Sequence, residues 1–234
     1  MRLIFVRHGE PDYKKDSLTE NGIRQAVKTA KRLEEEGIKA VYSSPLGRAY
    51  ETARYTADRL GLRVNTLDFM REIDWGDKEG CREEDALEYE GHPWALAFDL
   101  LTKEPDYVGN DKWYDHHFFK DNKCLDCYKY VSENIDAFLE NFGFIRKDGL
   151  YFCRDGCSDT IALFAHGGSG AVMLSHVLNL PFPFVLSTMP LGLCSVSVIE
   201  FWPEKGKKAV PILDLFNHTG HVAGILGDPY DFEK

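Results

Sequence analysis

The 234-residue sequence predicts an α/β protein of three layers, α/β/α, built on a mostly parallel central sheet. Three observations carry that expectation. Residues 3–6 (LIFV) and, within TIALFA (160–165), residues 161–165 are apolar without interruption, the mark of strands covered on both faces, where an antiparallel strand facing water would alternate. Strand-like segments are followed by helical ones, the order that gives parallel neighbours with helices on both sides. The composition, 44% apolar and 28% charged, is that of an ordinary globular chain able to bury one core.

Residues 3–6 open the fold. After a loop through Leu18, apolar residues at 23, 26, 27, 30 and 33 recur at helical spacing, with Thr19 as N-cap and Gly37 as the stop. Residues 40–42 give a second strand, Ala49, Ala53, Ala57 and Leu60 mark a second helical face ended by Gly61, and residues 63–67 read as a third strand. From Gly76 to about Asp159 the pattern turns to helices and loops rich in aromatics, which we read as an insertion (76–159) within a single domain covering 1–234. Its last helix, about 126–142, carries Val131, Ile135, Phe138, Leu139 and Phe142 on one side, and a hairpin follows around 147–149. The core resumes with a strand at 160–165, a helix at 170–179 and strands at 194–201 and 210–216.

A net charge of −10 repels polyanions, which argues against a nucleic-acid partner and requires any phosphate site to be local. The longest apolar runs are strand-length, well short of the roughly 20 residues of a membrane span. The first of them is cut at once by Arg7 and His8, leaving no signal-peptide core. The expectation is a cytoplasmic chain with no membrane contact. Six cysteines, at 81, 124, 127, 153, 157 and 194, include two close pairs. A four-thiolate zinc site is one reading of Cys124, Cys127, Cys153 and Cys157. Free thiols in a reducing compartment are the plainer one, since the second pair lies in a hairpin-like stretch (YFCRDGC).

The two buried strands end alike, one running into Arg7, His8 and Gly9, the other into His166, Gly167 and Gly168. Ligands of open α/β sheets bind beyond the carboxyl ends of the strands, so two histidines there can converge. Arg7 offers a planar fork suited to phosphate or carboxylate, or to an internal ion pair. In SSPLGRAYETA, Ser43 and Ser44 follow a strand and Arg48 falls in the first turn of a helix, whose amides and dipole already favour an anion. In REIDWGDKEG, Glu72 follows a strand and supplies a carboxylate; a glutamate beside a dianion is disposed to hold a proton that an alkoxide leaving group needs.

Taken in order, RHGE, SSPLGRAYETA, REIDWGDKEG and AHGG resemble the histidine phosphatase superfamily, also called the phosphoglycerate mutase-like family, over about residues 1–80 and 160–222. The resemblance implies a pocket of Arg7, His8, Arg48 and His166 around a phosphoryl group, with Gly167 as a further contact and Glu72 as acid and base. It implies a phosphohistidine on His8, no metal or other cofactor, a small phosphorylated substrate, and the insertion lying over the active site. The activity it points to is hydrolysis of a small phosphomonoester. The alternatives are a phosphoglycerate mutase-type phosphotransferase, which shares the pocket, and a phospho-ligand binding module without turnover. Mutases of the family carry a longer tryptophan- and asparagine-containing stretch after RHG, whereas here nine residues separate Gly9 from Thr19, which favours the phosphatase.

Two positions depart from the common pattern. Pro11 stands where many members have threonine, and no asparagine occurs in 12–16, where several place one near the phosphate. LTENGIRQA resembles the family's first helix, and NHTGHV a tail that approaches the site in relatives, with no role assigned to His218 or His221. Trp94, Phe98, Trp113, Tyr114, Phe118 and Phe119 of the insertion read either as core or as an apolar wall for the leaving group. His116 and His117 lack the spaced carboxylates of a metal site. A homodimer is left open.

Overall fold

A computed structural model describes residues 1–76, 93–202 and 204–225. In chain order the elements are β1 (Arg2–Arg7), β2 (Pro11–Asp12), β3 (Ser17–Leu18), α1 (Glu20–Leu33), β4 (Ile38–Ser43), α2 (Gly47–Leu60) and β5 (Val64–Thr66). Then follow α3 (Pro93–Lys103), α4 (Lys123–Glu140), the hairpin β6 (Phe144–Lys147) and β7 (Leu150–Cys153), β8 (Thr160–Ala165), α5 (Gly167–Leu178), α6 (Phe182–Thr188), β9 (Val196–Phe201) and β10 (Pro211–His218). The central sheet has six strands in the order β10-β9-β1-β8-β4-β5. β1, β8, β4 and β5 run parallel, while β9 and β10 are antiparallel additions beside β1. The three-layer, mostly parallel architecture expected from the sequence is the one observed.

Pleating divides β1 and β8 between two cores, because successive side chains point to opposite faces. Leu3, Phe5, Ile161 and Leu163 join Val131, Ile135, Val172 and Leu174 of α4 and α5 in one cluster. Ile4, Val6, Ala162 and Phe164 join Leu33 of α1 and Ala53 and Ala57 of α2 in the other. The alanines of α2 leave room for its backbone to lie close to β4 and β8. Both strands are therefore covered on each side, which is why residues 3–6 and 161–165 within them are all apolar.

The expected boundaries shift by a few residues. The Thr19 side chain caps α1 by accepting from the Gly22 amide at 3.0 Å. α4 begins at Lys123 because Asn122 accepts from the Cys124 amide at 3.0 Å. α5 begins at Gly167, three residues before the expected start, directly after His166. β10 runs on to His218, past the expected 216.

The insertion is packed into the larger core. Trp113 meets Phe119, Tyr128 and Phe182 at ring separations of 5.2, 4.9 and 5.3 Å, and Trp113 and Phe119 are fully buried. Those two are core residues, the first of the two readings, rather than a wall for a ligand. Trp94, Tyr114 and Phe118 are partly buried against the same core, and Phe98 is exposed. His116 is buried, with Nε2 at 3.3 Å from Glu104 Oε1. Cys124, Cys127, Cys153, Cys157 and Cys194 are free thiols, and among the described residues no group of three His, Cys, Asp or Glu is placed to hold a metal ion. Cys81 lies outside the described residues. Among those residues no helix is long and apolar enough to cross a membrane.

Candidate active site

β1 and β8 are parallel neighbours with Arg7 opposite Ala165, so one further step along each strand places His8 beside His166. The His8 amide donates to the Ala165 carbonyl at 2.9 Å, and the two rings stand 5.1 Å apart at 60°. β4, on the far side of β8, ends level with them, and the Ser44 amide donates to the Phe164 carbonyl at 2.8 Å. The loop that follows carries the chain into α2 and to Arg48 in its first turn. Three adjacent strand ends thus deliver His8, His166 and Arg48 to one place.

His8 is almost wholly buried and its Nδ1 lies 2.7 Å from the Gly9 carbonyl. A carbonyl can only accept, so the proton sits on Nδ1 and Nε2 keeps its lone pair. Burial, then the positive charge of Arg7, hold the imidazole pKa well below 6.5; the Gly9 carbonyl opposes them, and the charge of Arg48 adds a weaker lowering. His166 is buried and likewise lowered, by desolvation first and then by His8, Arg48, Arg7 and Arg71. Its Nε2 is 2.8 Å from Ser44 Oγ, while Nδ1 is buried without a partner among the described residues.

Arg7 donates from Nη1 to the Leu191 carbonyl at 2.6 Å, and a Cβ on Gly167 would lie 3.6 Å from its Cζ. The guanidinium therefore sits at the start of α5, where the first-turn amides have no acceptor inside the helix and the dipole is positive. Arg48 is nearly buried and donates from Nη1 to Asp16 Oδ1 at 2.7 Å, with the Tyr13 ring 5.4 Å from its Cζ. Asp16 Oδ2 accepts from the Gly47 amide at 2.6 Å. Leu46, the N-cap of α2, has no side-chain cap, so Asp16 does that work from a distant loop. The approach requires glycine at 47, because a Cβ there would overlap the Asp16 carbonyl.

Glu72 reaches the same helix start. Its Oε1 accepts from the Ile73 and Ser169 amides, both at 3.0 Å. A Cβ on Gly168 would be 2.6 Å from Ile73 Cγ1 and 2.7 Å from Glu72 Oε1, so the carboxylate can rest there only against glycine. The loop is tied to the insertion by the Lys123 amide on the Gly76 carbonyl at 2.8 Å and the Asp74 amide on Cys127 Sγ at 3.4 Å. The structure thus brings together Arg7, His8, Arg48, His166, Gly167 and Glu72. Reasoning from sequence passed over Asp16 and assigned nothing to Ser44. His218 and His221 stack at 5.8 Å, with His221 Nε2 at 3.1 Å from Thr29 Oγ1 on α1.

Residues 3–115 match the family model described as histidine phosphatase superfamily, branch 1. Over that stretch the chain is similar to the histidine phosphatase superfamily. Its relatives include the 2,3-bisphosphoglycerate-dependent phosphoglycerate mutase of Streptococcus thermophilus, 26% identical over 204 residues that cover 77% of this chain and 85% of that protein. Among solved structures, a mycobacterial glucosyl-3-phosphoglycerate phosphatase superposes with a TM-score of 0.62 at 23% identity, covering 93% of this chain and 99% of that one. The alpha-ribazole phosphatase of Shigella flexneri gives 0.61 at 20% identity, covering 93% and 96%. These likenesses establish a shared fold, and the proteins they connect it to are phosphatase and mutase enzymes.

Proposed function

We propose that this protein is a metal-independent phosphomonoesterase that transfers the phosphoryl group of a small substrate to His8 and then to water. The observation that carries the reading is a buried, uncharged imidazole whose Nδ1 is engaged by the Gly9 carbonyl. Its Nε2 keeps the lone pair for attack at strand ends shared with a second imidazole 5.1 Å away and two guanidinium groups. In the first step Nε2 forms a bond to phosphorus and the ester P–O bond breaks, with Glu72 giving a proton to the leaving alkoxide. In the second, water attacks phosphorus, the P–N bond breaks, and Glu72 takes the proton back. Arg7, Arg48, His166 and the first amides of α5, beginning with Gly167, hold the equatorial oxygens as charge moves.

A phosphotransferase reading has its own support in the curated relatives, which are phosphoglycerate mutases. The short stretch between Gly9 and Thr19 favours hydrolysis. The deciding experiment is a panel of small phosphomonoesters, including 3-phosphoglycerate and 2-phosphoglycerate, run with wild-type protein and His8→Ala. Phosphate release by the wild type, an acid-labile phosphoenzyme, and no turnover by a folded His8→Ala support the proposal. Interconversion of the two phosphoglycerates without phosphate release assigns the mutase activity instead. Phosphate binding with neither reaction leaves a binding module.

A further inference from the structure

Ser44 has one use of its hydroxyl that its surroundings dictate. It is fully buried, and its backbone is fixed by the Phe164 carbonyl at 2.8 Å and by Ser43 Oγ on its own carbonyl at 2.8 Å. Among the described residues Ser44 Oγ has two hydrogen-bond partners, the Leu46 amide at 3.2 Å and His166 Nε2 at 2.8 Å. The amide can only donate, so the hydroxyl proton has Nε2 as its acceptor. The reverse arrangement, with Nε2 donating, would strand the hydroxyl proton in a site closed to water, which costs more than a hydrogen bond returns.

We propose that Ser44 is a positioning residue: by donating to Nε2 it holds the His166 proton on Nδ1, so that an uncharged imidazole offers an N–H to a bound phosphoryl oxygen. Nδ1 is the nitrogen left buried without a partner among the described residues. His166 stays neutral because it is buried away from water, and because His8 just past β1, Arg48 on α2, Arg7 at the end of β1 and Arg71 in the Glu72 loop all oppose a second proton. Glu72, the carboxylate of that loop, is engaged by the Ser169 amide. A neutral histidine has a single N–H, and without a donor at Nε2 nothing would commit it to the pocket side. Phosphate oxygens only accept, so the wrong tautomer would set lone pair against lone pair. The catalytic part of this inference rests on the proposed function, whereas the tautomer does not.

The test uses the full chain labelled with ¹⁵N-histidine, with NMR reading which nitrogen of His166 is protonated near pH 7.5. Binding of inorganic phosphate and orthovanadate is measured in parallel for wild type, Ser44→Ala and Ser44→Thr. We expect Nδ1–H in the wild type. Ser44→Ala should lose that tautomer, with anion affinity and kcat/KM falling about tenfold, and Ser44→Thr should restore both. Nε2–H in the wild type overturns the proposal, as does a Ser44→Ala protein that loses activity with its tautomer unchanged. Should Ser44→Ala fail to fold, the wild-type spectrum still decides. Absence of turnover on every phosphomonoester, with the Nδ1–H tautomer in place, would sink the phosphatase reading and leave the assignment of Ser44 standing.

Discussion

Replacing Asp16 tests the structure at a residue the motifs do not single out. Asp16 accepts from the Gly47 amide at 2.6 Å and from Arg48 Nη1 at 2.7 Å, and its own backbone has φ of 49°. In Asp16→Ala three effects add. Loss of the side-chain acceptor for the Gly47 amide, in the first turn of α2, costs about 1 kcal/mol. The ion pair contributes about 0.5 kcal/mol, kept small because the Asp16 side chain is 41% exposed. Alanine in the left-handed region adds about 1 kcal/mol. The sum is about 2.5 kcal/mol. With a urea m-value of about 3 kcal/mol per M for a chain of this size, the unfolding midpoint falls by about 0.8 M. Asp16→Asn keeps the acceptor and tolerates the backbone, so it loses only the ion pair and about 0.2 M. Both variants free Arg48 from its tether, so phosphate affinity should fall in each. A midpoint for Asp16→Ala equal to wild type, or Asn as damaging as Ala, would refute the capping argument.

Gly168→Ala places a methyl where Ile73 and Glu72 now lie, so the carboxylate is displaced; we expect kcat to fall at least tenfold with the phosphoenzyme still forming on an activated ester such as p-nitrophenyl phosphate, and normal kcat on alkyl phosphates would contradict it. His8 and His166 are held well below 6.5 in the folded protein and take up protons near that value when unfolded. Stability should therefore be full above about pH 6.5 and decline as pH falls below it, by up to about 1.4 kcal/mol per pH unit for each histidine. Urea titrations from pH 7.5 to 5 would expose a flat profile if this is wrong, and His166→Gln should show a shallower slope. In the proposed mechanism guanidinium groups rather than a metal ion stabilise the moving phosphoryl group, so EDTA should leave turnover unchanged, and recovery of a chelated sample by a divalent cation would count against it.

The strands that build the site are plain in the sequence because burial on both faces removes polar residues, as in residues 3–6 and 161–165. The adjacency of His8 and His166 was not legible in the same way. It depends on β8 pairing with β1 in a register that sets Arg7 opposite Ala165, a long-range choice that neither strand carries alone. The start of α5 was placed late because GGSG offers no apolar periodicity, and the helix is buried almost all round, from Gly168 to Val177. Asp16 was hidden for a different reason: its carboxylate reaches α2 through a loop whose geometry depends on a positive φ, and the single trace of it in the sequence is Gly47. The aromatics of the insertion showed that a core existed there without showing which rings it would take, and Trp113 and Phe119 went inside while Phe98 did not.

The sheet order also bears on how the protein is born. β8 lies between β1 and β4 and hydrogen-bonds to both, yet it is translated long after either. A ribosome that has released the first 159 residues has delivered the outer partners without the wedge that separates them, and those partners must stay apart, or part again, before the middle strand arrives. Phosphate recognition should therefore switch on late and abruptly during synthesis, once the segment carrying His166 and the start of α5 has cleared the exit tunnel.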